Sequence, residues 1–309
     1  MDVITTVCMN PSFDRTLEVE DFREGVLNRI VSTREDLGGK GINVAVVLRR
    51  LGLDVQCVGL SGEENAGRLL GMMTREAIPA FFYRVPGSVR TNIKVISTGR
   101  TRSVTEINER GPVISASDFR RLVSLLEDKA GDSELLVLTG SLPPGCEAGT
   151  YRNLMECVHC PVIVDTGGAE LMESLKAHPL MVKPNLQELS ETLGRTPESI
   201  PEIRSAAMDL VRAGAGMVCV SMGERGAMLV SRDHTYFGRA PSVSVQSTVG
   251  AGDALVAGWI HGWKRSGNPA EALRCGIASG TASTLVPGTG AGGLQSYHEL
   301  LSEVSVSEI

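Results

Sequence analysis

The sequence predicts an α/β protein: a doubly wound, mainly parallel sheet with helices on both faces, plus a small β-sheet lid. Three observations carry this expectation. Short apolar runs alternate with helix-period patterns through most of the chain, which implies parallel strands covered on both faces. Several of these runs end in polar or glycine-bearing turns (Thr139-Gly-Ser141, Asp165-Thr-Gly167, Lys183-Pro-Asn185, Ser221-Met-Gly223), where open α/β sheets place their ligands. Two segments, Phe13 to Arg34 and Tyr83 to Glu109, break the rhythm with short, charged, β-like patterns.

Strands are expected at Val3 to Met9, Gln56 to Leu60, Leu135 to Thr139, Val162 to Asp165, Met181 to Lys183 and Met217 to Ser221. Helices are expected at Gly41 to Leu51, Ala66 to Glu76, Ser117 to Lys129, Gly149 to Cys157, Ile203 to Ala213, Asp253 to Lys264 and Ala270 to Leu285, where apolar residues recur at helical spacing. Pro241 to Gln246 alternates apolar and polar residues like a strand. The irregular segments, about 13–35 and 84–110, read as a lid or dimer surface inserted into one domain spanning 1–309. No linker, low-complexity run or fixed-period repeat divides the chain.

Composition narrows the function classes. Of the 309 residues, 42% are apolar and 4% aromatic, so the core is built mainly from Val, Leu, Ile, Ala and Met. A net charge of −6 without a dense basic run argues against nucleic-acid binding. No stretch approaches the ~18 apolar residues of a membrane span, and the N-terminus reads as a strand rather than a signal peptide. Seven scattered cysteines, an odd number, fit reduced thiols in the cytoplasm. Cys157-Val-His-Cys160 lacks a second pair, and the five histidines show no metal-ligand spacing.

The most informative stretch is Ser247-Thr-Val-Gly-Ala-Gly-Asp253, between a strand-like run and a long helix. Gly250 and Gly252 let backbone N–H groups approach a ligand, and the helix N-terminus favours negative charge there. Asp253 falls in the first helical turn. An anion hole beside a carboxylate suits phosphoryl transfer to a hydroxyl; a glycine-rich turn with a helix-capping aspartate is the plainer alternative.

Other motifs are weaker singly. Gly38-Gly-Lys-Gly-Ile-Asn43 opens a helix and offers backbone approach plus the Asn43 amide, or is only a loop and cap; it does not match a P-loop. Arg90, Asn92 and Lys94 would share one strand face suited to a phosphate and sugar hydroxyls, or to solvent. Asp14 follows the first strand, where it could bind a polyol or cap a turn. Asn185 and Glu188 could hold waters around Mg²⁺, or form a capping pattern. Ser221-Met-Gly-Glu-Arg-Gly226 could lie along nucleotide phosphates or form a hairpin. Gly288-Thr-Gly-Ala-Gly-Gly293 matches G-x-G-x-x-G but has no room for the rest of a dinucleotide-binding unit.

Taken in order, Asn10-Pro-Ser-Phe-Asp14, Gly38 to Asn43, Arg90 to Lys94, Gly140-Ser-Leu-Pro-Pro-Gly145, Lys183 to Glu188, Ser221 to Gly226 and Ser247 to Asp253 resemble the ribokinase-like carbohydrate kinases of the phosphofructokinase B family. Within it, Glu18-Val-Glu-Asp-Phe22, Gly39-Lys-Gly-Ile-Asn-Val44 and Thr105 to Pro112 are most similar to 1-phosphofructokinases, with tagatose-6-phosphate kinases close behind. Lys40 stands where the family's minor 6-phosphofructokinases have glycine. The resemblance implies ATP-dependent phosphorylation of fructose 1-phosphate at its 6-hydroxyl. The alternatives are tagatose 6-phosphate phosphorylation and, further off, 6-phosphofructokinase activity or a catalytically dead phosphosugar sensor.

It also implies roles. Asp253 would be the general base, and Gly250, Ala251 and Gly252 would stabilise the transferring phosphoryl group. Asp14, Gly38, Gly39, Asn43 and Ser141 would serve the sugar, and Arg90 its phosphate, with Lys40 or Lys94. Lys183, Asn185, Ser221, Gly223, Gly226 and Thr248 would line MgATP, with Thr281 and Ser283 near adenine. Glu188 would act on Mg²⁺ through water. Many of the family's sugar kinases have Asp-Thr where this chain has Ser247-Thr248, which leaves a bound K⁺ open. A homodimer through the lid is the implied assembly.

Overall fold

The aliphatic runs pair into one ten-stranded sheet. The computed structural model describes residues 2–99, 103–288 and 293–309. In the main sheet β1 (Ile4–Cys8) lies between β4 (Val55–Gly62), which pairs outward with β5 (Ala80–Val85), and β8 (Leu135–Thr139). From β8 the sheet continues through β9 (Val162–Asp165), β10 (Met181–Val182) and β11 (Met217–Ser221), all parallel. It ends in the antiparallel strands β12 (Ala227–Ser231), β13 (Thr235–Arg239) and β14 (Ser305–Glu308). Strand order reverses about β1, and ligand crevices form at the carboxyl side of such a switch point.

The central strands β1, β8, β9, β10 and β11 are buried on both faces, and their apolar residues alternate between two layers. Leu135 and Val137 join one apolar layer, Leu136 and Leu138 the other; Met217 and Cys219 oppose Val218 and Val220 in the same way. The first layer is completed by α1 (Lys40–Arg50), α2 (Ala66–Arg75), α8 (Ala251–Ser266), α9 (Pro269–Ser283) and α10 (Leu294–Glu303). The second is completed by α3 (Ala116–Ala130), α4 (Thr150–Met155), α5 (Gly168–Leu175), α6 (Leu186–Leu193) and α7 (Ile200–Arg212). Ser115/Asp118, Asn185/Glu188 and Ser199/Glu202 form capping boxes that start α3, α6 and α7.

A separate four-stranded sheet runs in the order β3 (Ile30–Gly38), β2 (Ser12–Val19), β6 (Arg90–Ser97), β7 (Ser103–Asn108). β2 begins four residues after β1 ends, so this sheet leaves the main one at its carboxyl edge. Its limits differ from those expected. Tyr83, Arg84 and Val85 pair with Leu60, Ser61 and Gly62 in the main sheet, and the first segment pairs as far as Gly38.

Pro241 to Gln246 is not a strand. Pro241 has no N–H for a ladder, and the segment's end is tied instead to a helix terminus: the Gln246 and Ser247 N–H groups donate to the Thr284 carbonyl at 2.8 and 3.3 Å. The expected short helix at Gly149 to Cys157 narrows to α4. α5, α10 and the antiparallel strands β12, β13 and β14 emerge only with the fold. Of the Gly288 to Gly293 motif, residues 289–292 lie outside the described residues. All seven cysteines are free, and no group of three or more His, Cys, Asp or Glu among the described residues could hold a metal. No helix among them is long and apolar enough to cross a membrane.

α8 and α9 cross at glycine contacts. A Cβ at Gly258 would stand 2.5 Å from the Cys275 carbonyl oxygen and from Ser279 Cβ, and one at Gly276 would stand 3.0 Å from the Leu255 oxygen. The backbones meet because these side chains are missing. Gly258→Ala is expected to push the pair apart and destabilise the protein by about 1–3 kcal/mol, read as a lower urea midpoint. An unchanged midpoint would show that the crossing tolerates a methyl group.

Candidate active site

The carboxyl ends of β1, β8, β9, β10 and β11 open into one cleft of about 1250 Å³. Its walls are the start of the small sheet, the amino ends of α1 and α8, and the 240–249 segment. Both sequence-marked glycine turns border it.

α8 begins at Gly250, whose φ of +79° is left-handed backbone that glycine adopts readily. No side chain caps this helix; the Ala251 N–H donates to the Thr248 carbonyl at 3.3 Å, and Gly250, Ala251, Gly252 and Asp253 line the cleft. A Cβ at Gly252 would come within 3.3 Å of Lys183 Nζ, so this turn and the cleft floor fit closely.

Asp253 is 4% exposed, and Asn43 Nδ2 donates to its Oδ2 at 2.8 Å. Burial pushes its carboxyl up to about 7, reinforced by the charge of Asp165 and opposed by Lys40, the Asn43 hydrogen bond and Lys183. A carboxylate tuned near neutrality and open to a cleft can accept a proton at working pH.

The floor is charged. Asp165, fully buried at the end of β9, pairs with Lys183 Nζ from the end of β10 at 2.9 Å and accepts a hydrogen bond from Thr139 Oγ1 at 3.1 Å. Burial alone would raise the Asp165 pKa; Lys183 and Lys40 outweigh it and hold the group below its ordinary value. Lys40 Nζ stands 3.7 Å from Asp165 Oδ2 and 3.5 Å from Glu188 Oε1. Asp165 is the leading cause that raises the Lys40 pKa, against the opposing effect of burial.

On the small-sheet side, Asp14 Oδ1 accepts from Ser12 Oγ at 2.7 Å and from Asn92 Nδ2 at 2.9 Å. Arg90 donates from Nη1 to the Glu109 carbonyl at 3.2 Å and lies 3.5 Å from Ser141 Oγ through Nη2. Its buried Nε and the Asn92 Oδ1 have no partner among the described residues. The opposite arm is lined by Asn185, Ser221, Gly223, Gly226, Thr248 and Thr281. Ser221 to Gly226 is the hairpin link between β11 and β12, and Ser221, Gly223 and Gly226 also line the cleft.

Four sequence candidates sit elsewhere. Lys94, on the same strand face as Arg90 and Asn92, lies farther out and pairs with Glu106 of β7 at 3.0 Å. Gly38 is not on the cleft wall; a Cβ there would strike Ser12 and Asp14, so it keeps space behind them. Ser283 is buried and donates to the Gly280 carbonyl at 2.8 Å. Glu188 lies behind the wall. Its Oε2 accepts from the Asn185 N–H at 2.8 Å and Asn185 Oδ1 accepts from the Glu188 N–H, so the capping reading holds for both; Oε1 alone faces Lys40. Sequence reasoning passed over Asp165, Thr139, Asn10 and Ser12 as site residues, while Asn92, placed with Arg90 on one strand face, lines the cleft. The available signal was a polar side chain closing an apolar run, as in Val162-Ile-Val-Asp165.

Known proteins resemble this chain over most of its length. The chain is 37% identical over 279 residues to a 1-phosphofructokinase of Rhodobacter capsulatus, covering 89% of this chain and 88% of that one. It is 33% identical over 310 residues to a 1-phosphofructokinase of Bacillus subtilis, covering 99% and 100%. Its fold matches phosphofructokinase-2 from Escherichia coli, solved in complex with potassium, at a TM-score of 0.91 and 27% identity over 98% of this chain and 99% of that one. The sequence model of the pfkB family carbohydrate kinases matches residues 7–296, and the chain belongs to that family.

Proposed function

We propose that the protein transfers the γ-phosphoryl group of ATP to the 6-hydroxyl of fructose 1-phosphate, giving fructose 1,6-bisphosphate and ADP. The observation that carries this reading is the placing of a neutral-range base, Asp253, in the same cleft as Arg90, whose buried Nε is unpaired. The names of the Rhodobacter and Bacillus relatives support fructose 1-phosphate over tagatose 6-phosphate as acceptor.

In this reading Arg90 and Ser141 hold the 1-phosphate, and Asp14 and Asn43 orient the sugar hydroxyls. Asp253 takes the proton of the 6-hydroxyl as its oxygen bonds to the γ-phosphorus; the bond from that phosphorus to the bridging oxygen breaks, and ADP leaves. The amides of Gly250 and Gly252 stabilise charge on the transferring oxygens, and the Ala251 N–H does so on leaving the Thr248 carbonyl it meets at 3.3 Å. Asn185, Ser221, Gly223, Gly226, Thr248 and Thr281 line the nucleotide. Asp165 and Glu188 each turn one hard oxygen toward the Lys40 ammonium, a donor set suited to Mg²⁺ shared with phosphates and water. The ion would neutralise phosphate charge.

The small sheet exposes Val31 (70%), Ile107 (55%) and Val104 (53%), and the β2–β3 loop Leu27 (76%), an apolar surface that a second copy of the chain would cover. A homodimer through this sheet is part of the proposal. Seven free cysteines support the cytoplasm as the compartment.

A purified-enzyme panel of fructose 1-phosphate, tagatose 6-phosphate, fructose 6-phosphate and free fructose tests the substrate. Turnover should be highest on fructose 1-phosphate; preference for an unphosphorylated sugar would remove Arg90 as a clamp. Running the panel in KCl and in NaCl reads any potassium dependence. Arg90→Gln should raise KM for the phosphorylated sugar at least tenfold, with a smaller change in kcat. Asp253→Asn should lower kcat by about 10²–10⁴ while sparing ligand binding.

In the wild type kcat/KM should fall tenfold per pH unit below about 7 as Asp253 takes up its proton. Stability follows the opposite sense. With its pKa raised on folding, Asp253 stabilises the protein most below its unfolded value of about 4, and that contribution is lost as pH rises through about 7. Asp253→Asn should therefore gain about 2 kcal/mol on the wild type between pH 5 and pH 8, measured by urea unfolding. A pH-independent difference would mean that Asp253 is ionised throughout.

A further inference from the structure

The geometry points to Lys40 as an internal competitor for a divalent cation: its ammonium holds the two carboxylate oxygens that would receive the ion, and so sets the free protein's metal affinity. The inference rests on the kinase reading above but is tested without substrate.

Glu188 is half committed, while Asp165 is engaged at both oxygens, its Oδ2 accepting from Thr139 Oγ1 at 3.1 Å. Asp165 gives Oδ1 to Lys183 at 2.9 Å, and Glu188 gives Oε2 to the Asn185 N–H at 2.8 Å. Asp165 Oδ2, with a lone pair beyond the one Thr139 uses, and Glu188 Oε1 both face Lys40 Nζ, at 3.7 and 3.5 Å. They are the hard donors that Mg²⁺ or Mn²⁺ would use.

The two lysines differ in how they are held. Lys183 is 3% exposed and makes a short contact, which fixes it in the floor. Lys40 has a side chain 38% exposed on a flexible stem, and its contacts are longer than ordinary hydrogen bonds. It is also the first residue of α1, where the helix dipole disfavours a cation. Only the carboxylates retain the ammonium there, so a second cation competes with it directly. An ammonium and a divalent ion repel strongly at such separations, and both cannot occupy the pair.

The experiment is a Mn²⁺ titration of the nucleotide-free protein, following the electron paramagnetic resonance signal of free Mn²⁺. Lys40→Met should lower the Mn²⁺ dissociation constant at least tenfold relative to wild type. Lys40→Arg, which keeps the charge, should remain weak. Adding Glu188→Gln to Lys40→Met should abolish the gain, locating the ion at this pair. Should Lys40→Met misfold by circular dichroism, Lys40→Gln carries the same expectation. Equal or weaker Mn²⁺ binding by the uncharged variant would overturn the inference, as would a gain that survives Glu188→Gln. Failure of the substrate panel would leave these affinities unaltered, so the two readings fail separately.

Discussion

The site depends on one constraint: the carboxylate of Asp253 is held out of water at the open end of a buried helix. Desolvation moves it toward neutrality, while Asn43, Lys40 and Lys183 keep the ionised form accessible. Neither influence would suffice alone. A solvated aspartate would be too weak a base, and a buried one without donors would remain protonated. α8 can set this balance because its position is over-determined, packed on the sheet on one side and locked to α9 through glycine contacts on the other. With no side-chain cap at its amino end, no side chain competes with a ligand for its first-turn amides.

The ion pair beneath it is costly for stability in a different way. Asp165 and Lys183 come from adjacent parallel strands, and both are withdrawn from water. A buried pair of this kind is often no more stabilising than apolar residues of the same volume. Its contribution is positional. It fixes one charge of each sign at the strand ends, and the field of Asp165 then reaches both Asp253 and Lys40.

Legibility in the sequence followed how local the cause was. Leu135–Thr139, Val162–Asp165 and Met217–Ser221 could be bounded from sequence because each is a short aliphatic run closed by a polar residue. The glycine turn before Asp253 was legible for the same reason, since its chemistry lies within seven consecutive residues. Pro241 to Gln246 misled because alternation can be met by an extended chain that never joins a sheet. Its partner, the Thr284 carbonyl, is distant in sequence. Asp165 was overlooked as a site residue because its importance comes from Lys183 and Lys40, which only the sheet order brings near.

Lys94 shows how distance along a strand separates residues that periodicity groups together. Arg90 and Asn92 open β6, beside Ser12 and Asp14 at the start of β2, where the small sheet leaves the main one. Residues at that junction lie near the cleft whatever the tilt of the sheet beyond it. Two residues farther along, about 6–7 Å, Lys94 has left the cleft and finds Glu106 across the ladder. The same face therefore carries two kinds of cation. One is held at the junction by a backbone carbonyl with a donor to spare, and the other is satisfied by a neighbouring strand. Only the first has hydrogen-bonding capacity left for a ligand, so Arg90 rather than Lys94 bears the phosphate-binding assignment.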